Sequence, residues 1–189
     1  MAKVSPLMAL PPILFAGIAA MFFFGMQREN PDQLPSALAG KPAPAVQTVV
    51  LGEGAPLTDT DLRDGRIKLV NFWASWCAPC RAEHASLMAL ATEGLPIYGV
   101  NYKDTPENAL AFLAELGNPF EKIGADTTGR MGLNWGLYGV PETYLINGDG
   151  QILLRHAGPI TERVIEATIR PALEAARRPS EMAEVHAAQ

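Results

Sequence analysis

The passage from Ile67 to Glu83 constrains this chain more than any other. The apolar run IKLVNFWA leads into Ser75-Trp76-Cys77-Ala78-Pro79-Cys80-Arg81-Ala82-Glu83. A near-continuous apolar run of this length suits a central strand buried on both faces. A helix is expected next, from Cys77 to about Ala91. Further on, LPIYGVNY (Leu95 to Tyr102) has the character of a second central strand. Asp104-Thr105-Pro106-Glu107 then reads as a helix start, with a polar cap, a proline in the first turn and an acid behind it. That helix should stop at Gly117-Asn118-Pro119.

Weaker signals complete the order. Ala45 to Leu51 reads as a first strand, Glu121 to Ala125 as a short one, and Gly129 to Leu137 as a short helix. Tyr144 to Asn147 and Gln151 to His156 flank Gly148-Asp149-Gly150, the pattern of a hairpin. Thr161 caps a last helix in which Pro171 is expected to produce a kink. Alternation of strands and helices followed by a hairpin predicts an α/β domain with a mixed central sheet. The domain is expected over 45–176, followed by a patternless, flexible tail over 177–189.

The N-terminus has a different composition. From Val4 to Met26 there is no charged residue, and Leu, Ile, Met, Ala and Phe dominate. Residues 1–26 are read as a transmembrane signal anchor, with a firm helix from Ile13 to Met26 after Pro11 and Pro12. A cleaved secretory signal is the competing reading. It is disfavoured because the small cluster Ala16-Gly17-Ile18-Ala19-Ala20 is followed by more apolar chain instead of a cleavage boundary. Lys3 and the terminal amine precede the span, which places the bulk of the chain outside the cytoplasm. Residues 27–44, with Pro31, Pro35, Pro42 and Pro44, read as a linker. A net charge of -5 over 189 residues and the lack of a basic run give no footprint for nucleic acid.

Cys77 and Cys80 are the only cysteines. A structural zinc site needs four protein ligands, and here two thiols are joined only by His84, His156 and His186. Covalent haem attachment needs C-x-x-C-H, and Arg81 stands at the histidine position. As a staple, the pair would close a loop of only Ala78 and Pro79, which gains little chain entropy. A C-x-x-C where a strand passes into a helix points to dithiol redox chemistry. At a helix N-terminus the Cys77 thiolate is favoured by unpaired N–H groups and the dipole, while Cys80, one turn inside, is shielded. The first thiolate attacks a partner disulfide and the second resolves the mixed disulfide. Trp76 is expected to shield one side of the pair. No metal and no cofactor beyond the redox-active Cys77–Cys80 disulfide are expected.

FWASWCAPC together with Gly139-Val140-Pro141 resembles the thioredoxin superfamily, which implies a thioredoxin-like fold. It also implies a cis Pro141 facing the cysteines and a Val140 backbone offered to a docked peptide. With GVNYKD (Gly99 to Asp104), GNPF (Gly117 to Phe120), YGVPETYLIN (Tyr138 to Asn147) and RHAGPI (Arg155 to Ile160), the chain is similar to the CcmG/DsbE family. These are membrane-anchored thiol:disulfide interchange proteins of cytochrome c maturation. The resemblance implies a periplasm-facing oxidoreductase tethered to the bacterial inner membrane by a single pass. Its implied partners are the C-x-x-C-H segment of apocytochrome c, other haem-attachment machinery, and a membrane thiol-electron transporter of the DsbD/CcdA type. Asn71 stands where ordinary thioredoxins carry a buried Asp, and Glu83 matches a family glutamate three residues after the second cysteine. Glu83, beside Cys80 by i,i+3 spacing, is expected to have a raised pKa and to relay the Cys80 proton. Catalytic residues are thus expected at Cys77, Cys80, Glu83 and Pro141, and partner-binding residues at Trp76, Val140, Glu142 and Tyr144. A copper-binding module on the same fold and a thiol oxidase remain alternative readings.

Overall fold

The computed structural model describes residues 10–26, 38–53 and 55–187. The chain divides into two units, Met1–Leu34 and Pro35–Gln189. In the first, α1 (Leu10–Met26) is an uncharged helix of 17 residues that takes Pro11 and Pro12 into its first turn. At 1.5 Å per residue it is about 26 Å long. Among the described residues, no helix is long and apolar enough to cross a membrane.

The second unit is built on a five-stranded sheet in the order β3-β2-β1-β4-β5. The strands are β1 (Lys68–Trp73), β2 (Ile97–Tyr102), β3 (Lys122–Asp126), β4 (Glu142–Ile146) and β5 (Ile152–Ala157). β1, β2 and β3 run parallel, and β4 and β5 are antiparallel additions, so the sheet is mixed and the fold thioredoxin-like. The helices are α2 (Asp59–Leu62), α3 (Ala78–Thr92), α4 (Pro106–Leu116), α5 (Arg130–Asn134) and α6 (Glu162–Val164). A π turn, Ile165–Ile169, joins α6 to α7 (Arg170–Ala187).

β1 lies at the centre and every one of its residues is buried. Its alternation assigns the two faces. Leu69 and Trp73 join Leu87 and Leu90 of α3, Phe112 and Leu113 of α4, and Ile165, Ile169 and Leu173 of the C-terminal helices. Val70 and Phe72 join Leu62, Met131, Trp135 and Tyr144 on the other face. Burying these apolar side chains at roughly 25 cal/mol per Å² holds helices to both faces of the sheet. Gly99, opposite Asn71 on β2, permits a close approach: a Cβ there would lie 2.7 Å from the Phe120 ring, which stacks on Trp73 at 5.5 Å.

Several sequence expectations need correction. Ala45 to Leu51 is not a strand. It meets β3 at a single bridge, Val49 to Ala125, and its other ties go through side chains: Asp59 accepts from Val46 N, and Thr48 donates to Leu57 O. Residues 27–37 of the expected linker lie outside the described residues. Residues 38–44 belong to the domain, because Gly40 N, Lys41 O and Ala43 N bond to Gly150 and Ile152. Pro42 and Pro44 prevent a continuous ladder there. Of the expected tail over 177–189, residues 188–189 lie outside the described residues, and residues 177–187 are helical and not patternless, since α7 continues through Ala187. Its Ala, Glu and Arg content favours helix. The bend expected at Pro171 takes the form of the π turn just before it, which accommodates a residue unable to donate in the i→i−4 ladder.

Candidate active site

Cys77 and Cys80 form a disulfide, with Cα atoms 5.2 Å apart, where β1 hands over to α3. Cys77 is the N-cap residue of α3, in extended backbone geometry, and its Sγ accepts from Cys80 N at 3.1 Å. A sulfur in this place is stabilised as an anion by an unpaired amide and the helix dipole. Both sulfur residues are almost fully buried. Their sequence neighbour Trp76 is exposed, and its indole Nε1 donates to Lys103 O at 3.1 Å.

The loop leading into the cysteines is pinned by Asp104, a residue that was not among the expected site residues. Asp104 accepts from Ser75 N at 2.7 Å, Ser75 Oγ at 2.9 Å and Asn101 Nδ2 at 3.0 Å. The α4 cap itself is Thr105. A short polar cluster at the end of a parallel strand was the available signal, since such strand ends carry sites in α/β sheets.

The Val140–Pro141 peptide bond is cis. The Val140 carbonyl oxygen lies 3.4 Å from Cys77 Sγ, close enough to accept from the thiol of the reduced form. Val140 is half-buried, so its backbone borders the disulfide at the surface.

Glu83 is 1% exposed and faces the same core as the cysteines. Its Oε1 accepts from Asn71 Nδ2 at 2.9 Å and its Oε2 from Ile160 N at 2.7 Å. Burial raises its pKa to about 7, against the two hydrogen bonds, which pull it down. Asn71 also donates to Thr143 Oγ1 at 3.0 Å. Asn71, Thr143 and His156 occupy successive register positions across β1, β4 and β5, so all three face α3. Burial lowers the pKa of His156.

Glu142 and Tyr144 do not line a partner-binding surface. Both are wholly buried. The Glu142 carboxylate pairs with Arg155 and accepts from Tyr138 N at 3.0 Å and from Tyr144 Oη at 3.2 Å. The one Tyr144 hydroxyl proton is shared between Glu142 and the Trp135 carbonyl oxygen, which is 2.9 Å from Oη. A charge removed from water is tolerable only when paired in this way, and the pair lies beneath the loop that carries Val140 and Pro141. The exposed group above it is Tyr138, whose ring lies 4.1 Å from the Arg155 guanidinium.

His84 is buried against Phe112, its Nε2 is within 2.9 Å of Gly117 O, and burial lowers its pKa. His186 falls on the last turns of α7. Among the described residues, no three His, Cys, Asp or Glu side chains are grouped as a metal-ligand set.

Comparison with known proteins agrees with this geometry. Residues 38–170 match the family model described as Redoxin. The chain is 57% identical to the thiol:disulfide interchange protein HelX of Rhodobacter capsulatus, over 89% of this chain and 96% of that one. It is 48% identical to a DsbE homologue of Paracoccus denitrificans (93% and 98% covered) and 42% identical to DsbE of Escherichia coli (87% and 92%). Among solved structures, a DsbE-type thiol:disulfide interchange protein of Chlorobium tepidum superposes with a TM-score of 0.59 at 26% identity. The match covers 73% of this chain and 96% of that one.

Proposed function

The chain belongs to the redoxin family, among the DsbE/HelX/CycY thiol:disulfide interchange proteins, and from this premise we propose that it reduces the disulfide of apocytochrome c before haem attachment. The observation that carries the proposal is the placement of Cys77 at a helix N-terminus, directly beside the peptide edge at Val140. A nucleophile stabilised as thiolate therefore sits where an extended target peptide can dock. Cys77 attacks the target disulfide, and the first target sulfur leaves as a thiolate. Cys80 gives up its proton and attacks Cys77, the second target sulfur leaves, and the electron pair of the dithiol ends on the target. Glu83, one turn along α3 from Cys80 with a pKa near neutrality, is suited to take the Cys80 proton. Pro141 and the Val140 backbone position the target chain, and exposed Trp76 contacts it.

The dithiol must be regenerated, and a membrane thiol-electron transporter of the DsbD/CcdA type is the proposed donor. The apolar α1 is proposed to hold the domain at the periplasmic face of the inner membrane, with the charge-free residues that precede it in sequence lengthening the apolar run. The test is direct. Reduced protein is mixed with an oxidised peptide carrying C-x-x-C-H, and thiol release is followed with time. Stoichiometric reduction, together with a reduction potential below that of the peptide, is the expected result. Reduced protein that leaves the peptide oxidised would overturn the proposal.

A further inference from the structure

Asn71 carries an arrangement that disulfide exchange alone does not require. Its Nδ2 gives both protons away, to Glu83 Oε1 and Thr143 Oγ1, while its Oδ1 is buried without a partner. Only three buried side-chain polar atoms lack a partner among the described residues, and the other two are the indole N–H groups of Trp73 and Trp135. An acceptor left unpaired in the core has lost its hydrogen bonds to water and gained none in exchange.

The orientation fits one charge state of Glu83. Both carboxyl oxygens accept, Oε1 from Asn71 and Oε2 from Ile160 N, which suits an ionised group. Once protonated, Glu83 has a hydroxyl to donate and no acceptor facing it, so two groups would be unpaired. An amide is nearly symmetric in outline, and turning it exchanges Oδ1 with Nδ2. Oδ1 would then accept from the Glu83 hydroxyl and from Thr143 Oγ1–H, leaving a single unpaired group again. Each charge state of Glu83 therefore has its own preferred orientation of the amide.

We propose that Asn71 is a positioning residue that turns its side-chain amide with each protonation of Glu83, and so steadies the carboxyl both as proton acceptor and as proton donor. This rests on the redox reading above. In the resolving step Cys80 sulfur bonds to Cys77 sulfur, the target thiolate leaves with the electron pair, and the Cys80 proton passes to Glu83, where the turned Asn71 carbonyl accepts from it. The other titratable groups around Glu83 are Cys80 on its own helix and His156 in the same row of the sheet. His84 is engaged with Gly117, and Arg81 pairs outward with Glu115. The segment at Ile160 presents a backbone N–H, and the neighbouring core residues Ile165 and Ile169 are apolar. Burial, which brings the Glu83 pKa to about 7, allows both states near neutral pH.

The test is nuclear magnetic resonance of the full chain from pH 5 to 9, in the disulfide form, where neither sulfur titrates. Above the midpoint of the Glu83 carboxyl-carbon titration, a nuclear Overhauser contact is expected between the Asn71 amide protons and the Thr143 side chain. Below that midpoint the contact should be lost, with the same midpoint for both signals. In Glu83→Gln it should not change with pH. A contact that persists while Glu83 titrates would overturn the switch, as would a Glu83 that does not titrate in this range. Neither result depends on disulfide exchange, so a chain that fails to reduce its target would sink the redox reading separately.

Discussion

Cys77 caps α3 while Cys80 lies inside its first turn, and this difference predicts different fates for the two thiols. Cys80→Ser should leave Cys77 able to attack and should accumulate a mixed disulfide with a target peptide, visible on a non-reducing gel. Cys77→Ser should accumulate none, and equal trapping by both would remove Cys77 as nucleophile. Glu83 gives a second expectation, in stability. Burial lifts its pKa from the ordinary 4.5 to about 7 in the folded protein. Between those values the folded protein keeps a proton that the unfolded chain has lost. The stability tied to this group is complete below pH 4.5 and is lost as pH rises through 7, by on the order of 3 kcal/mol. Glu83→Gln should remove that decline. Urea midpoints of both proteins in the disulfide form, from pH 4 to 8, would show it, and the buried histidines cancel in the difference. Parallel curves would mean that Glu83 is ionised throughout. Glu83 was singled out in the sequence by its match to a family glutamate three residues after the second cysteine, with the asparagine at position 71 in support. Its second donor was not legible, because Ile160 N is 77 residues away and is supplied by backbone, which leaves no side-chain signature.

At the scale of elements, the loop before Pro141 is held from below by an ion pair that joins the first residue of β4 to β5. Arg155 and Glu142 are 7% and 1% exposed at their side chains. Removing one member of a buried pair leaves the other uncompensated, at about 3–5 kcal/mol. Arg155→Met should cost that much in urea unfolding and should also slow reduction of a bulky peptide, because Tyr138 loses the guanidinium beneath its ring. A loss below about 1 kcal/mol would show that the carboxylate finds water instead. The strand β4 was readable from its apolar residues only from Tyr144, because it opens on Glu142 and Thr143. The false strand over Ala45–Leu51 arose from the same kind of evidence. Its Val and Thr content suits a pleated surface, but a segment at the sheet edge pairs only where backbone geometry allows, here at Val49. The central elements were legible because burial on both faces leaves an unbroken apolar run that nothing else in the chain imitates.

For the molecule as a whole, the division at Leu34/Pro35 predicts that a chain starting at Pro35 folds and exchanges disulfides on its own. Its rate with a soluble peptide should lie within about twofold of the full chain, a difference of roughly 0.4 kcal/mol. Its recovery in the membrane fraction should fall. A tenfold slower rate would mean that the N-terminal unit takes part in the exchange itself. The pairing of β1 with β4 has a consequence in time. Asn71 meets Thr143 across a separation of 72 residues, and closing a loop of that length costs about 4 kcal/mol in chain entropy beyond a constant. Synthesis delivers Cys77 and Cys80 long before Val140 and Ile160 exist. Between those moments the chain carries two sulfurs without the Val140 edge and without the enclosure of Glu83 that the folded site provides. A nascent chain halted before β4 is expected to react with any disulfide it meets, and the selectivity proposed for the folded site would arrive only with the last two strands.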